Sequence, residues 1–391
     1  MNNTNLKKII PFFLPSFSLE EEQAVCRILK SGWLTTGQIT LEFEKEFAKF
    51  TEVKHALAVN SASSGLILAM EACRIKHGTK ILTSPYTFIS TATSALHLGA
   101  EVEYADIEKK SYSIDAEKIE AKLKKDKTIK AVVPIHIAGN VCNMKDINLL
   151  AEKYGVAVIE DAAHAFPAKT RDGYAGTLGT CGVFSFYATK TITTGEGGMI
   201  CTNDDDIAER IKLMRSHGIN RTIWDRYTDT KASWKYDVTE AGWKFNLPDI
   251  LSSIGRVQLK KAVSFFEKRK RLAEKYNAAF SNNPLFIIPP DGEGNAWHLY
   301  ILRLNLDALK ITRDEFAAAL QEEGLGISVH FIPHFEMTYI KKRYNLDKKD
   351  FPESYLKYSQ SLSLPFYPSM SESDSGYVIN TVLKTAEKYK R

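Results

Sequence analysis

Cysteine is sparse in this 391-residue chain: Cys26, Cys73, Cys142, Cys181 and Cys201 are odd in number, scattered, and include no CxxC pair. That argues against both a disulfide framework and a cysteine-based zinc site, and no metal is expected. No apolar run reaches the length of a membrane span, and the opening MNNTNLKKII lacks the apolar core of a secretory signal. The expectation is a cytoplasmic protein with no membrane partner. Charge of one sign is not concentrated either: 52 Lys and Arg stand against 47 Asp and Glu, a net +5 with both signs intermixed. Nucleic acid binding gains no support from that balance. A GxGxxG turn is missing after the first predicted strand, where NSASSG (residues 60–65) stands instead, so a dinucleotide-dependent dehydrogenase or epimerase is disfavoured. Internal repeats and low-complexity tracts are absent as well.

What is present is an alternation of short apolar runs and amphipathic stretches. Residues 55–60 (HALAVN), 80–83 (KILT), 131–135 and 157–161 read as strands, and 66–74 and 145–153 as helices. Such alternation predicts an α/β fold with a mostly parallel sheet covered by helices on both faces. Before it, residues 9–19 (IIPFFLPSFSL) are apolar and broken by Pro11 and Pro15, which suggests an extended arm. A large domain over 1–258 and a smaller α+β domain over 259–391 are expected, joined by a charged helix over about 259–280. Its basic run Lys268-Arg269-Lys270-Arg271 reads as a solvated face. Within the smaller domain, 297–303 and 326–331 read as strands.

The most informative stretch is GVFSFYATKTITTGEGGMICT, residues 182–202. Two apolar strand ends flank a loop that carries one lysine, Lys190, with Gly195, Gly197 and Gly198 supplying backbone freedom. A lone loop lysine is ordinarily a solvated charge. Held between buried strands it is partly desolvated, which disfavours the ammonium and frees the amine as a nucleophile toward an aldehyde. Upstream, AVIEDAAHAFPA (residues 157–168) is a strand ending in Glu160-Asp161. A carboxylate at the carboxyl end of a parallel strand lies where open α/β sheets bind ligands. A lysine to carry the aldehyde and an aspartate to keep a pyridine nitrogen protonated are what a pyridoxal phosphate site needs.

FSFYATKTITTGEGGM and VIEDAAHA resemble the DegT/DnrJ/EryC1/StrS family of pyridoxal phosphate-dependent aminotransferases acting on nucleotide-linked keto sugars, and the likeness extends over nearly the whole chain. The resemblance implies the type I aminotransferase fold, with a seven-stranded-type sheet. It makes Lys190 and Asp161 the catalytic pair and assigns Ser63, Ser64 and Ser185 to the cofactor phosphate, where local sequence alone allows plain helix capping. Phe88, in SPYTF, matches the aromatic that stacks on the pyridine ring, and His164 matches a residue that bonds the ring hydroxyl. The loop Gly32-Trp33-Leu34-Thr35 matches the stretch that contacts the sugar nucleotide. Lys244 and Asn246, in GWKFN, match a segment that reaches across a dimer interface: Lys244 stands where relatives place an asparagine against the phosphate, and Asn246 faces the substrate. His330, in SVHFIPH, matches a residue near the substrate.

The resemblance implies a homodimer that moves an amino group, from glutamate as donor, onto a UDP-linked 4-keto-6-deoxyhexose. The product is an amino sugar for surface polysaccharide or glycan, lipopolysaccharide among them. Acceptors linked to dTDP or GDP, aminated at C3 or C4, are the alternative, and a regulatory homologue without turnover is the reading outside catalysis. A pyridoxamine-dependent dehydratase is disfavoured, because such relatives replace the lysine with histidine and this chain keeps Lys190.

Overall fold

The computed structural model describes residues 8–220 and 235–391; of the stretch 217–243, which is rich in Trp, Tyr, Arg and Asp and reads as a long functional loop, residues 221–234 lie outside the described residues. Strands His55–Val59 (β1), Lys80–Thr83 (β2), Glu101–Tyr104 (β3), Ile129–Val133 (β4) and Ala157–Asp161 (β5) come first. A small hairpin, Lys169–Thr170 (β6) and Gly173–Tyr174 (β7), precedes Cys181–Ser185 (β8) and Gly198–Thr202 (β9). The main sheet runs β1-β9-β8-β5-β4-β2-β3, and only β9 is antiparallel to its neighbours. The mostly parallel, seven-stranded expectation therefore holds. β9 is buried along its whole length, and apolar strands covered on both faces are what a helix-sandwiched sheet requires. Gly198, which opens β9, has no room for a side chain: a Cβ there would lie 2.8–3.0 Å from Phe184 O, Ala62 N and Ser61 C. The strand thus packs directly on the turn that starts helix Ala62–Ala72.

A 32-residue helix, Asp249–Phe280, links the sheet to the remainder of the chain, and it begins well before the expected position near 259, with Pro248 at its N-cap. Its first turns pack on helices Leu19–Ser31 and Gln38–Thr51. The basic run inside it is not a uniformly solvated face. Lys268, Lys270 and Arg271 are exposed, but Arg269 is fully buried. The reason is periodicity: Ala262, Phe265, Arg269, Ala273, Tyr276 and Phe280 recur at helical spacing and form the buried stripe.

Beyond the helix, Phe286–Ile287 (β10), Ile301–Leu304 (β11) and Ser361–Ser363 (β12) form an antiparallel sheet. Helices Arg313–Glu322 and Glu372–Lys388 pack on it around Tyr276, Phe280, Tyr300 and Phe316. The strand expected from 297 starts only at Ile301, because Trp297 adopts φ 48° and breaks the extended run. The expected 326–331 strand is reduced to one bridge, Ser328 to Ser363. The N-terminal arm crosses to this region: Ile10 N–H donates to Gly324 O at 2.9 Å, and Ile10 O accepts from Gly326 N–H at 2.7 Å. That pairing brings Phe12 and Phe13 to the wall of a cavity lined by residues from both the main sheet's loops and the smaller region, among them Asp161, Lys190, His298 and Phe366. No helix among the described residues is long and apolar enough to cross a membrane.

Candidate active site

Adjacent strand residues point to opposite faces, so Glu160 and Asp161 at the end of β5 have different surroundings. Glu160 is fully buried and accepts four bonds, from His136 Nε2 (2.8 Å) and the amides of Gly176, Leu178 and Gly179 (2.7 Å each). Among the described residues Asp161 accepts only the Thr91 hydroxyl (2.7 Å) and the Ala163 amide (3.2 Å), and it faces a cavity of about 300 Å³. Burial pushes its carboxyl up, against the lowering effect of Thr91, Ala163 and Lys190. A buried carboxyl with spare lone pairs and so few donors fits a site that receives a cation.

Lys190 reaches the same cavity from the loop between β8 and β9. That loop is tightly bonded: Lys190 N–H to Tyr187 O (2.9 Å), Thr194 N–H and Thr193 Oγ1 to Phe186 O (3.0 Å each). Burial lowers the amine to about 8, and Asp161 opposes the shift. The lowering raises the neutral fraction of the amine, the form that acts as nucleophile and proton acceptor.

His164 lines the cavity with a defined tautomer. The Ala138 amide donates to its Nδ1 at 3.3 Å, so the ring proton sits on Nε2. Burial, with lesser effects from Lys190 and His330, keeps the ring well below its usual range and hence neutral. Ala138 holds φ 59°, and its carbonyl accepts His298 N–H at 2.9 Å, so one residue ties both histidines together, ring centroids 4.4 Å apart. At the other end of the cavity, helix Ala62–Ala72 begins. Ser61 is its N-cap and accepts Ser64 N–H at 3.1 Å; the first intrahelical bond is Gly65 N–H to Ser61 O. Ala62 and Ser63, whose amides precede that bond, line the cavity, and a helix start of this kind suits an anion.

Of the residues singled out in the sequence, Ser63, Phe88, Asp161, His164, Ser185, Lys190 and His330 share this cavity. Ser64 does not line it: its hydroxyl donates to Asn60 Oδ1 at 2.6 Å, while Ser61 stands on the wall instead. Phe88 is half exposed and packs at 6.0 Å from Phe331. His330 bonds Ser363 Oγ at 2.8 Å and stacks on Phe12 at 5.5 Å; burial first, then Lys190, lowers it to about 4. Sequence reasoning missed Ser61, Phe12, Phe13, His298 and Phe331. Ser61 was signalled by its strand-to-helix position, whereas the others arrive only through tertiary contact.

Gly32, Trp33, Leu34, Thr35, Lys244 and Asn246 lie elsewhere in the single chain. Gly32 is the left-handed cap of helix Leu19–Ser31, Leu34 and Thr35 are exposed, and Trp33 Nε1 donates to Thr36 O at 3.3 Å. Asn246 Nδ2 donates to Thr36 Oγ1, and Lys244 is exposed beside it. Asp249 locks this loop by accepting from the amides of Gly37 (2.8 Å) and Thr40 (2.9 Å), the N-cap that Gly37 itself cannot provide.

Residues 15–383 match the model of the DegT/DnrJ/EryC1/StrS aminotransferase family. The chain is 41% identical over 376 residues to the spore coat polysaccharide biosynthesis protein SpsC of Bacillus subtilis, covering 95% of this chain and 96% of that one. It is 42% identical over 380 residues to an uncharacterized protein of Methanocaldococcus jannaschii, covering 97% and 98%. Among solved structures, PseC of Helicobacter pylori, an aminotransferase of pseudoaminic acid biosynthesis, superposes with a TM-score of 0.87 at 29% identity, covering 98% and 100%. The sugar aminotransferase Spr1654 of Streptococcus pneumoniae, in its pyridoxamine phosphate form, gives 0.90 at 25% identity, covering 97% and 98%.

Proposed function

The chain belongs to the DegT/DnrJ/EryC1/StrS aminotransferase family, a pyridoxal phosphate-dependent sugar aminotransferase, and on that footing we propose that it aminates a nucleotide-linked keto sugar. The acceptor in this reading is a UDP-linked 4-keto-6-deoxyhexose and the donor is glutamate. The amino sugar goes to surface polysaccharide, in keeping with the role in spore coat polysaccharide synthesis that SpsC is named for. The observation that carries the reading is one cavity holding a partly neutral lysine, an underbonded buried aspartate, a neutral histidine donor and a helix start.

These residues fit the cofactor by their chemistry. Asp161 offers its free lone pairs to a protonated ring nitrogen, and that cation favours the carboxylate which burial otherwise penalises. His164 offers Nε2–H to the ring oxygen. Ser61, Ser63, Ser185 and the first amides of helix Ala62–Ala72 suit the phosphate. When bound, pyridoxal phosphate supplies an electron-accepting ring and a carbon that stores the amino group between the two half-reactions. Lys190 Nζ takes the proton from the donor's α-carbon, and in the second half-reaction delivers one to the sugar carbon that gains nitrogen. Phe12, Phe13 and Phe331 limit water and give an apolar wall suited to a deoxy sugar's methyl group.

Within one chain, Trp33, Lys244 and Asn246 do not line this cavity, which supports a homodimer in which these residues serve the neighbouring site. The test supplies ¹⁵N-glutamate and a panel of UDP-, dTDP- and GDP-linked 3- and 4-keto sugars. We expect ¹⁵N in the UDP-linked 4-amino product. Transfer only to another member of the panel overturns the substrate assignment; no transfer from any donor to any sugar overturns the function.

A further inference from the structure

Asn60 stands just past the carboxyl end of β1, an edge strand of the main sheet that runs parallel to β5 and so ends on the side where Asp161 lies. The segment 243–246 covers that edge: Val59 bridges Asn246, and Asn60 N–H donates to Phe245 O at 2.8 Å. On its other side the segment is held by residues 215–217, with Phe245 N–H donating to Arg215 O (3.0 Å) and His217 N–H to Trp243 O (2.8 Å). The Asn60 side chain adds a link that this backbone pairing does not supply. Its Oδ1 accepts from Ser64 Oγ at 2.6 Å, and its Nδ2 donates to Lys244 O at 3.5 Å. The neighbours fix the amide's orientation, because the inverted form would set Oδ1 against the Lys244 carbonyl.

That orientation sets the order of protons in the turn. An amide oxygen only accepts, so Ser64 spends its one hydroxyl proton on Asn60, and Ser61 is the donor in its 2.9 Å contact with Ser64. Hydrogen bonds in series thus run from Ser61, on the cavity wall, through Ser64 and Asn60 to the backbone of Lys244. The turn that suits the cofactor phosphate and a segment whose Lys244 does not line its own chain's cavity are therefore one bonded unit. We propose that Asn60 is a positioning residue that works across the homodimer: it fixes the Lys244 backbone, and with it the side chain that serves the neighbouring subunit's cofactor phosphate. This inference deepens the homodimer reading above and rests on it. Removing the Asn60 amide leaves its backbone bond to Phe245 in place, so the segment stays on β1 and only the Lys244 end is released.

The test uses mixed dimers of two differently tagged full-length chains, one of them carrying Lys190→Ala. The visible absorbance of lysine-bound pyridoxal phosphate then reports the other chain's site alone, and titration with the cofactor gives its Kd without any sugar. We expect Asn60→Ala on the Lys190→Ala chain to weaken binding at the wild-type chain's site roughly fivefold, the effect of one neutral hydrogen bond. Asn60→Asp on the same chain should do likewise, since it keeps the acceptor for Ser64 and loses the donor to Lys244; it decides if Asn60→Ala does not fold. An asparagine that only stabilises its own chain would be silent in this arrangement. Lys244→Ala on the Lys190→Ala chain tests the shared site itself and should also weaken binding. If Lys244→Ala acts across the dimer and a folded Asn60 variant does not, the inference is overturned and the homodimer reading stands. If Lys244→Ala is silent there, or the chains do not pair, both are overturned.

Discussion

The two faces of the sheet at the end of β5 carry the same chemistry, one carboxylate each, and treat it in opposite ways. On one face Glu160 is saturated by four N–H donors and holds the turn 176–179 to the sheet. On the other, Asp161 is left with two donors beside a cavity and a lysine. Burial by itself therefore does not mark function; a buried polar group whose bonds are incomplete does. Glu160 is committed to holding the fold together, whereas Asp161 keeps lone pairs free for the ligand proposed above.

The largest effect that tests this contrast is at the cavity itself. Lys190→Ala should lower turnover by roughly three orders of magnitude or more, on the order expected when nucleophile and proton carrier are lost together, with no fall in Tm. Next comes the paired exchange. Asp161→Asn should cut kcat by about 10²–10³ and leave stability nearly intact. Glu160→Gln should instead destabilise by about 3 kcal/mol, read from chemical denaturation, with activity following the folded fraction. If the two variants behave alike, the contrast between the faces is wrong. Smaller is His164→Phe, which removes the Nε2–H donor and should weaken cofactor affinity by about tenfold in a fluorescence titration.

A further effect concerns stability against pH. Because Lys190 falls from 10.5 to about 8 in the folded chain, the unfolded chain holds more protons between those values, and wild-type apoprotein gains stability as pH rises through that window. Lys190→Met apoprotein should therefore be more stable than wild type at about pH 7, with the advantage shrinking above about pH 8. An advantage that stays constant to high pH would show that the lysine is not desolvated.

Much of this was legible in the sequence. The glycine-rich lysine loop, the acidic strand end and the serine-capped turn are local patterns, and local patterns survive folding. Two things were not. The separate fates of Glu160 and Asp161 depend on which face the turn 176–179 covers, a tertiary fact. Ser61, not Ser64, lines the cavity because the helix starts at Ala62, earlier than the start near 66 that the sequence suggested: Ser61 becomes its N-cap, and Ser64, inside the first turn, turns its hydroxyl to Asn60. Arg269 was hidden among basic neighbours, although its place in the apolar stripe with Phe265 and Tyr276 marked it as inward-facing.

The assignment of Lys190 and Asp161 to one cofactor site is tested most sharply by borohydride reduction of the cofactor-loaded enzyme followed by peptide mass spectrometry. We expect one phosphopyridoxyl group, on Lys190, in wild type and in Glu160→Gln that remains folded. Label on another lysine, or none on the loaded protein, would refute the assignment.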